Sequence, residues 1–377
     1  MEYKVLLGKY SEIQLATFSP ATNNGTNEYH ALIKLKEVSH MNATEQVSLL
    51  KKAFEKLQEE IFPASLVWKR YFLSDPCNQY ELFESPGQLM SLVGQAPLDG
   101  SKIAMWCYFI QEGQLAADDH LVTLSRPDYK HYYYYGLKDL SEGPYAQTIK
   151  LFNNLKESMA LNSLNMAEHL IRTWVYVQAV DINYEGMVKA RREVFEQEGL
   201  SENTHYVSST GIEGRHYLPS SLVFMDAYVL EGLKEEQLRF LYAPEHLSPT
   251  QVYGVTFERG TTIEYGDRRH VFISGTASID NRGRTLYSMD IQAQTERMFE
   301  NVEALLSEAG AGFGDLAHVI VYLRDMADYG VVKSLVNTKL PEVPQVFVLA
   351  PVCRTQWLVE MECMAILPVS DNDFAPF

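Results

Sequence analysis

The sequence is short of positive charge, cysteine and long apolar runs, and each shortage removes a class of function. Lys and Arg number 32 against 49 Asp and Glu, a net charge of −17. No Lys/Arg run breaks that balance, so nucleic acid is excluded as the main partner, because gripping a phosphate backbone needs a concentrated basic surface. A small anion remains allowed if a few arginines are held locally in a pocket. The four cysteines, Cys77, Cys107, Cys353 and Cys363, are scattered without a CxxC pair, which signals neither a disulfide framework nor a zinc site. The ten histidines form no HxH or HExxH pattern, so no metal or other cofactor is expected. No apolar run approaches the roughly 18 residues of a membrane-spanning helix. The opening MEYKVLLGKY lacks the basic-then-apolar layout of a signal peptide. A cytoplasmic protein with no membrane partner is expected.

What is present is a core-forming composition, 46% hydrophobic and 12% aromatic over 377 residues, enough for two or three compact units. The chain also repeats itself. AQTIKLFNNLKESM (146–159) and AQTERMFENVEALL (293–306) share Ala, Gln, Thr, Phe and Asn in register. RTWVYVQAVDINYEGMV (172–188) faces VIVYLRDMADYGVV (319–332), and LVFMDAYVL (222–230) matches LVEMECMAI (358–366) without a gap. A fainter third copy runs through VSLLKKAFEKLQEEI (47–61), SLVWKRYFLSD (65–75) and IAMWCYFI (103–110). Each copy reads as about two strands, a helix, a strand, a second helix and a closing strand, an α+β unit with helices on one face of a mixed sheet. Boundaries fall at 1–112, 113–245 and 246–377. Three equivalent units pack naturally as a ring around a pseudo-threefold axis, a pseudo-trimer, with ligand sites in the clefts between them.

The last closing strand poses the functional question. In CRTQWLVEMEC (353–363), Trp357, Val359, Met361 and Cys363 point one way, and Leu358, Glu360, Glu362 and Met364 the other. In the strand alignment Glu360 stands opposite Phe224 and Met105, and Glu362 opposite Asp226 and Cys107. A position that is apolar in two copies and acidic in one is not required by the fold. Glu360, on an apolar face and about 7 Å from a second carboxylate, should have a raised pKa and suit a general acid. The competing reading is a solvated strand edge or an arginine pair made for packing. Glu362 reads as a structural partner.

FISGTASID (272–280), the helix at 293–316, VYLRDMADY (321–329) and LVEMECMAI together resemble the Rid/YjgF family, also called endoribonuclease L-PSP, over roughly residues 265–368. That resemblance implies the chorismate mutase-like trimer fold, here carried by three modules of one chain, the last holding the active site. It also implies hydrolysis of enamine or imine intermediates as one activity. VCRTQWLVEME (352–362), SGTASI (274–279), RTWVY (172–176) and STGIEG (209–214) further resemble the chorismatases. These cleave the enolpyruvyl ether of chorismate to pyruvate plus a hydroxybenzoate or a dihydroxycyclohexadiene acid, and their catalytic glutamate falls on Glu360. EVPQVFVLAP (342–351) lacks the arginine of the simple Rid deaminases.

A dicarboxylate substrate calls for arginine. Arg324 after its strand, Arg354 beside Cys353, Arg172, and Arg259 with Tyr253 in the linker are the candidates, each against an ordinary ion pair as the alternative. Ser209, Thr210 and Gly211 offer backbone for close approach. Cys353 is expected to line the pocket without acting as a nucleophile. HYYYYGL (131–137) reads as packing between copies rather than a stacking platform. The sequence thus suggests a cofactor-independent chorismatase-like hydrolase or lyase for a small anionic carboxylate, a monomer or weak homo-oligomer. The rivals are an enamine/imine hydrolase and a non-catalytic ring that binds a metabolite.

Overall fold

A computed structural model describes residues 1–21, 25–83, 90–118 and 120–377. Three sheets of one topology account for most of it. The first is built from β1 (Glu2–Leu7), β2 (Ser11–Phe18), β3 (Glu28–Leu35), β4 (Ser65–Leu73), β5 (Met90–Val93) and, beyond the two-residue β6 (Ala96–Pro97), β7 (Ile103–Ile110). Its order is β1-β2-β3-β7-β4-β5. The second holds β8 (Gln114–Asp118), β9 (Leu121–Ser125), β10 (Lys130–Lys138), β11 (Leu170–Val177), β12 (Ser208–Glu213) and β13 (Val223–Glu231), ordered β12-β11-β13-β10-β9-β8. The third holds β14 (Leu238–Leu241), β15 (Gly260–Glu264), β16 (Arg268–Ala277), β17 (Leu316–Leu323), β18 (Gln345–Leu349) and β19 (Val359–Pro368). Its order, β14-β15-β16-β19-β17-β18-β6, ends on the strand borrowed from the first module. Each module therefore opens with three antiparallel strands rather than two. The third sheet also begins at Leu238, ahead of the boundary at 246.

One long helix covers each sheet, Ala43–Glu60, Gly143–Ala160 and Ile291–Glu308. A recurring glutamine ties each to its closing strand. Gln147 Oε1 accepts from the backbone N–H groups of Leu222 and Val223 (2.8 and 3.0 Å), Gln294 Oε1 from that of Leu358 (2.9 Å), and Gln46 Oε1 from that of Lys102 (2.8 Å). All three are buried, which explains a polar residue at the same place on three apolar helix faces: it satisfies backbone groups where the chain enters the sheet. The second and third modules add helices Val180–Gln197 and Tyr329–Lys339. The first has only single turns there, Pro76–Gln79 and Tyr80–Phe83.

The sheets turn their helix-free faces inward and close a ring. β5 packs against β10, β12 against β16, and β17 against β2 and β3, so each module presents one edge to the next in a single sense. The inner faces merge into one core containing Trp68, Trp106, Trp174, Tyr228 and Phe272.

The closing strand of the first module is shifted by one residue from its expected phase. Across β4 and β7, Phe72 pairs with Ala104 and Arg70 with Trp106; across β17 and β19, Tyr322 pairs with Glu360 and Ile320 with Glu362. The counterparts of Glu360 are thus Ala104 and Phe224, and those of Glu362 are Trp106 and Asp226. Met105 and Cys107 face the helix instead, because a one-residue slip exchanges the faces of a strand.

Candidate active site

At the ring centre two arginines meet two carboxylates, all buried. Arg70 donates to Asp226 (3.0 Å) and lies 3.8 Å from Glu362, while Arg172 pairs with Glu362 at 3.0 Å. The indole N–H of Trp174 donates to Glu362 (2.9 Å), and Ser91 Oγ and the Gly136 backbone N–H donate to Asp226 (3.0 and 2.8 Å). Charge is matched two against two, as burial of ions demands, although the Nε of Arg70 has no hydrogen-bond partner among the described residues. Glu362 is the structural partner that its acidic counterpart Asp226 suggests.

Glu360 sits two residues earlier on the same face, only 5% exposed, and its carboxyl group hydrogen-bonds to no described residue. It is fixed by β19, whose entry Gln294 clamps at Leu358 and at the Gln356 carbonyl. A bulge in β16 between Ile273 and Thr276 carries Gly275 directly beneath it. A side chain at Gly275 would overlap a Glu360 carboxyl oxygen, so glycine is what leaves room for the acid. Burial, and then the charge of Glu362, push the Glu360 pKa up to about 8, and the opposing pull of Arg259 and Arg172 does not cancel the rise. The group is therefore protonated at neutral pH.

Glu360 borders a cleft of about 430 Å³, mouth included, between the second and third modules. Its walls are Tyr253, Phe257, Ile279 and Trp357 on the apolar side and Arg191, Arg259, Tyr184 and Cys353 on the polar side. Both arginines are buried, and neither forms an ion pair with a described carboxylate. Arg191 donates from Nε to Thr256 Oγ1 (3.2 Å) and from Nη1 to Ser209 Oγ (3.3 Å), and its buried Nη2 has no partner. Burial holds its pKa below the usual guanidinium value. Arg259 is held by the Ser248 carbonyl (3.3 and 2.9 Å) and by the rings of Tyr253 and Phe257. Two buried cations whose hydrogen bonds go only to neutral groups form a pocket for an anion.

Of the residues singled out in the sequence, Glu360, Cys353, Tyr253, Arg259, Ser209 and Gly211 line this cleft. The Cys353 thiol is pushed up to about 12, by burial and then by Glu360, so it is not a thiolate. The other four lie elsewhere. Arg172 is committed to Glu362, Thr210 and Ser274. Thr210 Oγ1 accepts from Arg172 (2.7 Å) and from the Gly275 N–H (3.0 Å), behind the wall. Arg324 makes a two-pronged ion pair with Asp181 (2.9 and 2.9 Å) and holds the Val352 and Trp357 carbonyls, so it braces the loop around Cys353 and does not reach the cleft. Arg354 lies across the rings of Tyr253 and Trp357 and donates to the Gly283 carbonyl (3.2 Å), one layer outside.

Arg191, Tyr184, Gly275 and Trp357 escaped sequence reasoning. For Arg191 a signal existed: it shares a helix face with buried Met187, Val194 and Phe195, a phase at which a surface arginine does not fall. In β10, Tyr133 and Tyr135 join the central core and Tyr132 and Tyr134 the helix side, so the tyrosine run is packing. Among the described residues no His, Cys, Asp or Glu cluster would hold a metal ion, and no helix is long and apolar enough to cross a membrane.

The endoribonuclease L-PSP family model matches residues 263–367. A RutC family protein of Pyrococcus abyssi is 34% identical over 97 residues, 25% of this chain and 76% of that protein. The 3-aminoacrylate deaminase RutC of Acinetobacter baylyi is 31% identical over 72 residues, 19% of this chain and 57% of that one. A crystal structure of a chorismatase superposes with a TM-score of 0.64 over 80% of this chain and 93% of its own, at 18% identity. The last likeness extends the shared fold well beyond the third module, to 80% of the chain. The chain therefore belongs to the Rid/YjgF superfamily, as a three-module α+β member with the architecture of a chorismatase.

Proposed function

We propose that the cleft cleaves an enol ether of a small carboxylate, with chorismate the leading substrate, by protonating carbon from Glu360. The observation that carries this reading is a neutral, unbonded carboxyl group facing a pocket whose two buried arginines lack carboxylate partners. Arg191 and Arg259 would bind the substrate carboxylates. Glu360 gives its proton to the terminal methylene carbon, turning the enol ether into an oxocarbenium ion. Water adds to that cation, and collapse of the hemiketal releases pyruvate and the alcohol; if a ring hydroxyl adds instead, pyruvate leaves with that oxygen as its ring C–O bond breaks, and loss of a ring proton gives the hydroxybenzoate. The proton lost by the attacking hydroxyl restores Glu360, so no cofactor takes part. Because one chain closes the ring, a monomer is the expected active form.

The likeness to 3-aminoacrylate deaminase RutC supports a second reading, in which the same acid protonates an enamine carbon before hydrolysis. Incubation with chorismate, pyruvate being followed by a coupled assay, tests the first reading. Parallel incubation with 2-aminoacrylate generated in situ tests the second. Pyruvate from chorismate that disappears in Glu360→Gln is the expected result. Faster imine hydrolysis with chorismate untouched would transfer the assignment, and binding of chorismate without turnover would leave a metabolite-binding ring.

A further inference from the structure

A second cavity, of about 520 Å³ with its opening and the gaps between its wall atoms included, lies on the pseudo-threefold axis and shares no lining residue with the cleft. In a ring of identical units every axial position would repeat three times, but here each has diverged. Trp68, Arg172 and His318 occupy equivalent places, as do His30, Tyr133 and Phe272. The walls are broad aromatic faces. His30 stacks on Tyr108 at 4.6 Å and on His318 at 5.2 Å, and Trp68 meets Trp106 and Trp174 edge-on at 5.2 and 5.3 Å.

Those walls carry unused polar atoms. The indole nitrogens of Trp68 and Trp106, both ring nitrogens of His30, and Nδ1 of His318 are buried and have no hydrogen-bond partner among the described residues. Native interiors rarely leave so many such groups in one place without something to receive them. The chamber carries little net charge of its own. The Arg172 charge is consumed by Glu362, and burial drives the His30 pKa down to about 3 and that of His318 well below the usual value, so both imidazoles are neutral.

We propose that this axial chamber binds one small, uncharged, planar aromatic molecule with hydrogen-bond acceptors on its rim. Its faces would stack on the indole and imidazole walls, and its acceptors would take the free N–H groups of Trp68, Trp106 and His30. The inference is independent of the reaction assigned to the cleft.

Three of the four tryptophans line the chamber and the fourth, Trp357, lines the cleft, so intrinsic fluorescence reports on both. Benzimidazole, neutral at pH 8, is the probe, and indane, of similar size without an acceptor, is the control. Expected are saturable one-to-one quenching by benzimidazole, about tenfold weaker binding of indane, and unchanged benzimidazole binding in Glu360→Gln. His30→Phe should bring benzimidazole down toward indane. If that variant does not fold, Trp106→Phe, which keeps an aromatic ring and loses the N–H, carries the same expectation. Absence of saturable binding, equal binding of the two probes, or loss of binding in Glu360→Gln would each overturn the proposal.

Discussion

The cleft between the second and third modules and its counterpart between the first and second are built on equivalent strands, yet where one opens beside an acid the other is filled by an aromatic side chain. Where the open cleft has Glu360, the closed one has Phe224, fully buried and stacked on Tyr176 at 4.8 Å with His216 against its edge. One residue pair further along, Glu362 and Asp226 play the same part in both, each held by a buried arginine. Both clefts also have a bulge in the facing strand, at Gly275 in one and Gly136 in the other. Only the Gly136 amide is aimed at a carboxylate. The second and third modules therefore each keep one acid at the axis, where the first has Trp106. The additional acid is tolerated only where a cavity lies beside it and the proton stays on.

The sharpest way to break this contrast is to remove the extra acid. Glu360→Gln should lower kcat for pyruvate release by about three orders of magnitude, with KM little changed. Asp226→Ala attacks the closed side. It strands the buried Arg70 charge and should cost about 3–5 kcal/mol in urea unfolding, whereas Glu360→Gln should cost no stability at pH 9. Arg191→Met removes an unpaired cation from the open side and should raise KM about tenfold or more, with a smaller fall in kcat.

The pH response separates the two acids further. Activity that needs protonated Glu360 should be constant below, and fall as pH rises through, about 8. Stability follows the same sign. The folded chain holds this proton more tightly than the unfolded chain does, so the contribution is complete below 4.5 and is lost as pH rises toward 8. Its slope reaches about 1.4 kcal/mol per pH unit, and Glu360→Gln should flatten that part of the curve. The smallest effect expected is for Cys353→Ala, a change in rate within about threefold, since the thiol there is un-ionised.

How much of this was legible in the sequence differs from module to module. The paired helix motifs of the second and third modules are readable because a buried glutamine at a fixed place, Gln147 and Gln294, meets a backbone need that recurs with the fold. IAMWCYFI gave no phase, because a strand buried on both faces is apolar at every position and period-two alternation disappears. Glu360 was visible as an acid on an apolar face. Arg324 misled because its partner Asp181 belongs to another module. Arg191 was hidden for a different reason: its neighbour Arg192 is exposed, and only the helical phase distinguishes the two.

The charges at the ring centre bear on how such a chain can have arisen. Identical subunits related by a true threefold axis would bring three copies of any axial residue together, three acids or three bases, with no opposite charge at the same position to balance them. Here Trp106, Asp226 and Glu362 share one position and Arg70, Trp174 and Ile320 the next. Covalent fusion freed each place to diverge, and the resulting mixed quartet joins the first module to the second through Arg70 and Asp226 and the second to the third through Arg172 and Glu362.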